Sequence, residues 1–347
     1  MNLGVRRKRI GIRIEVDDVT KANTIGILRG LQAGEPQEVS KTRAEARFKS
    51  LKGQQKAAFK LLDPETLAKV KYGYRGDVPW IISNDDALAG VSRLPDNFVD
   101  CVVTSPPYYW QRDYGVDGQT GQEDTIEDYV EALAAVFRQV LRVLKPTGTA
   151  FVVLADTYYS GKGQPRGGDP KQVWRSVARQ KYRAVDRPGF GLPKKSLLGV
   201  PWRVALALQA DGWVLRSSVI WRKPKPLAEP SVRDRPWNTT ETVFILTKSG
   251  KYHFNRDGLD GQEDVWDIPA PNAMRRYRHA APFPEALVSR CLAVGCPKKG
   301  VVLDPYVGSG TTLAVAASRG LPSIGIELSS HYVTLARQRL ITKFSRR

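Results

Sequence analysis

The chain has 347 residues, 41% of them hydrophobic, enough for one large α/β domain with additions. No run approaches the ~20 apolar residues of a membrane span, and the basic start, Met1 to Arg9, lacks the apolar stretch of a signal peptide. Three cysteines and three scattered histidines indicate neither a disulfide framework nor a metal centre, so a reducing cytoplasm is expected, while a net charge of +19 calls for an anionic partner, nucleic acid first.

Residues 1–75 hold 17 Lys+Arg against 8 Asp+Glu. Short helices are expected over Asp17–Gly30 and Lys41–Leu62. The stretch reads as a basic appendage, either a DNA clamp or an oligomerisation arm, ahead of a main domain over 76–347. Within that domain, Asp100 to Val103 is an apolar run that reads as a buried strand. It leads into Thr104-Ser105-Pro106-Pro107-Tyr108. The proline ring fixes φ near −65°, and each residue before a proline is pushed toward an extended form. The outcome is a stiff finger with two hydrogen-bond acceptors, Ser105 Oγ and the Pro106 carbonyl, beside the face of Tyr108. Such a finger suits a planar ring held by its face and by both hydrogens of an exocyclic amine. The plain alternative is a proline-terminated strand over a packed aromatic.

Ile126 to Leu144 is expected to be an amphipathic helix, with Tyr129, Leu133, Val136, Phe137, Val140 and Leu141 on its apolar face. Residues 161–196 show no periodicity and hold 10 Lys+Arg against 2 Asp+Glu, interleaved with Trp174, Tyr182 and Phe190. Basic residues among aromatics suit nucleic-acid contacts, and a loop this long is more often functional than idle. Lys162, Arg166, Trp174, Arg175, Lys181 and Arg183 are its candidate DNA contacts. A second candidate loop, Arg222 to Trp237, contributes Lys223 and Arg233. Inserted recognition loops are therefore expected near 161–196 and 222–278.

Near the end, Val301 to Asp304 is followed by Pro305, then Gly308-Ser309-Gly310-Thr311-Thr312 and an Ala-rich stretch. This is a strand–turn–helix unit whose glycines admit a ligand to the backbone and whose helix start offers unpaired N–H groups. The next strand, Ser323 to Glu327, ends in an acid about 20 residues on, where a ribose would sit. No lysine follows Gly310, so a phosphate-binding P-loop is excluded. The third glycine of a dinucleotide fingerprint is absent, its place taken by Leu313. S-adenosylmethionine carries no phosphate; two glycines and a ribose-binding acid suffice for it, and Asp304 suits its cationic methionine end.

The two motifs together resemble the DNA amino-methyltransferases acting on N4 of cytosine or N6 of adenine. The resemblance runs from about Trp80 to Leu340 and includes Val143 to Gly148, Gly199 to Arg203, Val219 to Pro224 and His279 to Glu285. The catalytic motif precedes the cofactor motif, the order of the beta group. The resemblance implies an α/β, Rossmann-like methyltransferase fold with circularly permuted motif order and a mixed, mostly parallel sheet with a β-hairpin. It implies S-adenosyl-L-methionine as cofactor, held by Asp86, Thr104, Phe283, Pro284, Asp304, Pro305, Gly308, Ser309, Gly310, Thr311, Thr312 and Glu327, and no metal. Ser105, Pro106, Pro107 and Tyr108 would act on a base flipped out of double-stranded DNA. Serine at the head of this motif favours N4 of cytosine, with N6 of adenine as the alternative. A homodimer and a cognate restriction endonuclease are further partners the resemblance leaves open. A binding protein with a degenerate methyltransferase fold, and an RNA methyltransferase, are the rivals. Cytosine C5 chemistry is not expected, because the catalytic strand lacks its Pro-Cys pair.

Overall fold

The centre of the molecule is a sheet whose middle strands are apolar on both faces. The computed structural model describes residues 70–75, 78–161, 184–187, 189–224, 229, 232–270 and 284–342. In chain order its strands are β1 (Val70–Arg75), β2 (Val78–Asn84), β3 (Val99–Thr104), β4 (Leu144–Leu154), β5 (Val214–Arg222), β6 (Thr240–Thr247), β7 (Val265–Asp267), β8 (Val302–Asp304) and β9 (Ser323–Glu327). Its helices are α1 (Ala87–Ser92), α2 (Ile126–Val143), α3 (Val200–Ala210), α4 (Glu285–Gly295), α5 (Thr311–Ser318) and α6 (Ser330–Thr342).

The sheet order is β1-β2-β9-β8-β3-β4-β6-β5-β7. β2, β9, β8, β3 and β4 run parallel, and β6 pairs antiparallel with both β4 and β5. The β5–β6 pair is the expected hairpin. β1 adds an antiparallel edge to β2. Val70–Arg75, assigned from the sequence to the appendage, is thus part of the sheet; residues 1–69 lie outside the described residues.

Period-two alternation explains why helices cover both faces. On β4, Ala150, Val152 and Leu154 join a core with α1, α2 and α3, through Val91, Phe137 and Val204. Phe151 and Val153 point the other way, into a core with α4 and α5 through Leu287, Leu292 and Ala316. β3 is buried along its whole length. Helix α2 forms where the periodicity places it: Thr125 caps it by accepting the Asp128 amide, Glu127 and Asp128 sit in the first turn, and Tyr129, Leu133, Phe137 and Val140 are buried. The segment Leu144 to Gly148 is absorbed into β4: Val99 pairs with Leu144 but Cys101 pairs with Thr149, so residues 145–148 loop out of register.

From β3 the chain builds toward β4, whereas β8, which follows much later, is laid on the other side of β3. The boundary between β8 and β3 is therefore a topological switch point, and ligands bind outside the carboxyl ends of strands at such a point. The two sequence motifs leave the sheet there, one from each strand. Among the described residues, no helix is long and apolar enough to cross a membrane.

Candidate active site

A cavity of about 420 Å³ opens above this boundary, a size usual for small-ligand sites. Its wall carries Asp86, Ser105, Pro106, Pro107, Tyr108, Lys223, Pro305, Gly308, Ser309, Thr311 and Glu327, eleven of the residues singled out from the sequence. Asp86 follows β2, Ser105 follows β3, Gly308 follows β8 and Glu327 ends β9. Four parallel strands thus deliver their C-terminal residues to one hollow.

Glu327 occupies one end. Its Oε2 accepts the Gly308 amide at 2.9 Å and its Oε1 the Ser329 amide at 2.8 Å. Burial raises its pKa to about 7 against the pull of those two amides. Glu327 itself lines the cavity. Gly308 and Gly310 have φ of +50° and +79°, which glycine adopts at no steric cost. The donors and the cavity fit S-adenosylmethionine: an acid for the hydroxyls and bare glycine backbone beside it. Asp86 accepts the Ala89 amide at 3.1 Å as the cap of α1, which fixes its carboxylate at the cavity edge.

Asp304 was expected at the cationic end of the cofactor, but it does not line the cavity. Its carboxylate is fully buried beneath the glycine turn and accepts Thr104 Oγ1 at 2.7 Å, Thr312 Oγ1 at 2.6 Å and the Tyr306 amide at 3.0 Å. Burial raises its pKa to about 6, opposed by those three donors. Asp304, Thr104 and Thr312 clamp the ends of β3 and β8 to the start of α5. Gly310 caps α5 behind the wall. Pro284 is the buried cap residue of α4 and stands off the cavity, and Phe283 lies outside the described residues. Arg339 escaped the sequence reading altogether. This buried guanidinium of α6 donates to Thr311 Oγ1 at 2.8 Å and to Glu285 Oε1 at 2.9 Å, holding the glycine turn from below.

The other end belongs to the proline finger. Tyr129 donates to the Pro107 carbonyl at 2.8 Å, which ties down the finger, and both Pro106 and Pro107 line the hollow. Trp110, two residues past Tyr108, is held at φ +50°, a sparsely populated region for so bulky a side chain. Its indole donates to the Glu123 carbonyl at 2.6 Å. Ser105 Oγ donates to the Tyr108 hydroxyl at 3.1 Å, which donates to Glu241 Oε2 at 2.6 Å. Burial and the Glu241 charge push the Tyr108 pKa well up, so the hydroxyl keeps its proton. Lys223 reaches Glu241 Oε1 at 2.5 Å and lies 5.0 Å from the Trp221 ring centroid. The expected DNA contact Lys223 is therefore a cavity residue in an ion pair. Glu241 and Trp221 were also missed from the sequence; the available signal was an acid just ahead of the apolar run Val243–Leu246 of β6.

Of the remaining DNA candidates, Arg233 is exposed and off the cavity. Lys162, Arg166, Trp174, Arg175, Lys181 and Arg183 lie outside the described residues. Phe190, one of the aromatics interleaved in the 161–196 stretch, stacks on Tyr159 at 5.1 Å and packs against the core.

Comparison with known proteins fits this geometry. A DNA methylase family model for N6 and N4 enzymes matches residues 99–338. The type II methyltransferase M.SmaI of Serratia marcescens is 40% identical over 272 residues, covering 74% of this chain and 89% of its own. Among solved structures, the cytosine-N4-specific PvuII DNA methyltransferase matches with a TM-score of 0.58 at 20% identity, over 76% of this chain and 87% of that one. A DNA modification methylase-like protein of Thermus thermophilus, complexed with S-adenosyl-L-methionine, matches with a TM-score of 0.51 at 23% identity, over 75% and 92%. The two structural matches are likenesses of fold.

Proposed function

The chain belongs to the N6/N4 DNA methylase family and is an S-adenosylmethionine-dependent DNA methyltransferase, and from that premise we propose that its target is N4 of cytosine, in a base flipped out of double-stranded DNA. The observation that carries this reading is Ser105 on the cavity wall with its proton turned toward Tyr108. Its lone pairs are then free for an amine, at the short reach of a hydroxyl. An Asp or Asn there would reach one or two atoms further, and hydrogen bonds tolerate only a few tenths of an ångström.

The amine is a poor nucleophile because its lone pair is delocalised into the ring. Ser105 Oγ and the Pro106 carbonyl take its two hydrogens and turn the nitrogen toward a tetrahedral form, with its lone pair aimed along the cavity. Tyr108 gives the ring a face to rest on, and Trp221, buried at the wall, excludes water behind it. Glu327 and the glycine turn fix the cofactor. S-adenosylmethionine, when bound, supplies a methyl group on a positively charged sulfur. The chain's own contribution is position and preorganised dipoles, and no covalent adduct with the base is needed.

The likeness to a type II methyltransferase supports action at a fixed DNA sequence beside a cognate restriction endonuclease. The test of the target atom is mass spectrometry of nucleosides from DNA methylated by the purified protein. N4-methylcytosine is expected. N6-methyladenine without N4-methylcytosine would transfer the assignment to adenine.

A further inference from the structure

We infer that Glu241 is the terminal acceptor of the proton that the target amine sheds, reached from Ser105 through the Tyr108 hydroxyl. The inference rests on methylation of an exocyclic amine held by Ser105, and is indifferent to which base carries it.

The chain of contacts is continuous. Ser105 Oγ lies 3.1 Å from the Tyr108 oxygen, that oxygen 2.6 Å from Glu241 Oε2, and Glu241 Oε1 2.5 Å from Lys223 Nζ. An ionised carboxylate only accepts, so it sets the direction of every donor before it: tyrosine gives to glutamate, and serine gives to tyrosine. The side chains of Glu241 and Lys223 are 12% and 20% exposed. All four side chains lie on the cavity wall, and the last two keep part of their surface open to water.

Methylation makes such a path useful. The amine nitrogen forms a new N–C bond with its lone pair and must lose one of its two hydrogens to end neutral. Of its two acceptors, the Pro106 carbonyl cannot keep a proton at neutral pH. Ser105 Oγ can take one if it gives its own away in the same motion. The N–H bond breaks to Ser105, the Ser105 proton passes to Tyr108, and the Tyr108 proton passes to Glu241. Serine and tyrosine end as they began. Glu241 becomes a neutral acid beside Lys223 and releases the proton to water. The positive charge that arrived on the methyl donor leaves by this route. Simple stacking on the base would require only the Tyr108 ring. The hydroxyl on a carboxylate, and the lysine spent on that carboxylate instead of on DNA, are what the relay explains.

Tyr108→Phe keeps the ring and cuts the relay; Glu241→Gln keeps the shape and removes the acceptor. Single-turnover transfer from tritiated S-adenosylmethionine to duplex DNA is measured by rapid quench in mixtures of H₂O and D₂O, beside DNA and cofactor affinities. Each variant should slow transfer by about 10²-fold while affinities stay within about twofold, in keeping with the usual contribution of a positioned proton acceptor. The wild-type rate should bow against deuterium fraction, as several moving protons require, and become linear in both variants. Wild-type rates in both variants would overturn the relay. A linear wild-type plot with slow variants would overturn it too, leaving Glu241 only an orienting role. Nucleosides from the wild-type product are analysed in the same experiment: absence of a methylated amine there would fail the reading beneath the relay, and is told apart from the other outcomes because it concerns no variant.

Discussion

Glu327 Oε2 accepts the amide of Gly308 at 2.9 Å across the gap between β9 and the turn after β8. The acid on the cavity wall is thus also the acid that fixes the glycine turn. Ribose hydroxyls would donate to its ionised form, whereas burial sets its pKa at about 7. Cofactor affinity should therefore fall as pH drops below about 7 and level off above it. Glu327→Ala should abolish most binding at every pH. Calorimetric titration from pH 6 to 9 checks both.

The same raised pKa has an opposite effect on stability. A carboxyl that ionises at 4.5 when unfolded and at about 7 when folded favours the folded state most below 4.5. That contribution is lost as pH rises to 7. Relative to Glu327→Gln, the wild type should lose on the order of 3 kcal/mol over this window. Urea unfolding of both proteins at pH 4.5 and 8 measures the double difference.

Gly310→Ala should be severely destabilising. The residue has φ +79°, and an added Cβ would come within 2.9 Å of the Ala336 Cβ on α6. Left-handed backbone costs about 1–2 kcal/mol and overpacking about 1–3 kcal/mol. A loss of about 2–5 kcal/mol in unfolding free energy follows from these two terms.

Arg339→Met tests the brace under the turn. It keeps the apolar stem and removes donors to Thr311 and Glu285. About 2 kcal/mol of stability should be lost, with weaker cofactor binding, because Ser309 and Thr311 line the cavity. Glu285→Gln should cost less, since the Glu285 side chain is 43% exposed. Thermal unfolding with and without S-adenosylmethionine separates the two effects.

Ser105→Ala should sharply reduce turnover and leave cofactor affinity nearly intact, because Ser105 and Glu327 work at opposite ends of the cavity. Steady-state methylation beside calorimetry reads both quantities.

Deleting residues 1–69 leaves the edge strand β1 in place. If the segment clamps DNA, the log–log salt dependence of binding should flatten by about 0.9 for each phosphate contact removed. An unchanged slope with a reduced mass in light scattering would instead assign the segment to oligomerisation.

The sequence by itself determined the cofactor turn, the proline finger and the order in which they occur. Each is a short run whose backbone behaviour is set locally: prolines fix φ at 106 and 107, and glycines at 308 and 310 take positive φ at no steric cost. The periodicity of α2 likewise announced an amphipathic helix with Tyr129, Leu133, Phe137 and Val140 on its buried face. What the sequence could not reveal was which side chains meet across the sheet. Asp304 reads as a ligand contact until Thr104, 200 positions away, is found to occupy its carboxylate. Lys223 reads as a DNA contact from a loop, and only the hairpin register shows it beside Glu241 on the cavity wall. Arg339 looks like one more surface cation on a terminal helix. These assignments depend on strand order and helix packing, which join residues through space, and no local pattern of apolar and polar residues encodes that.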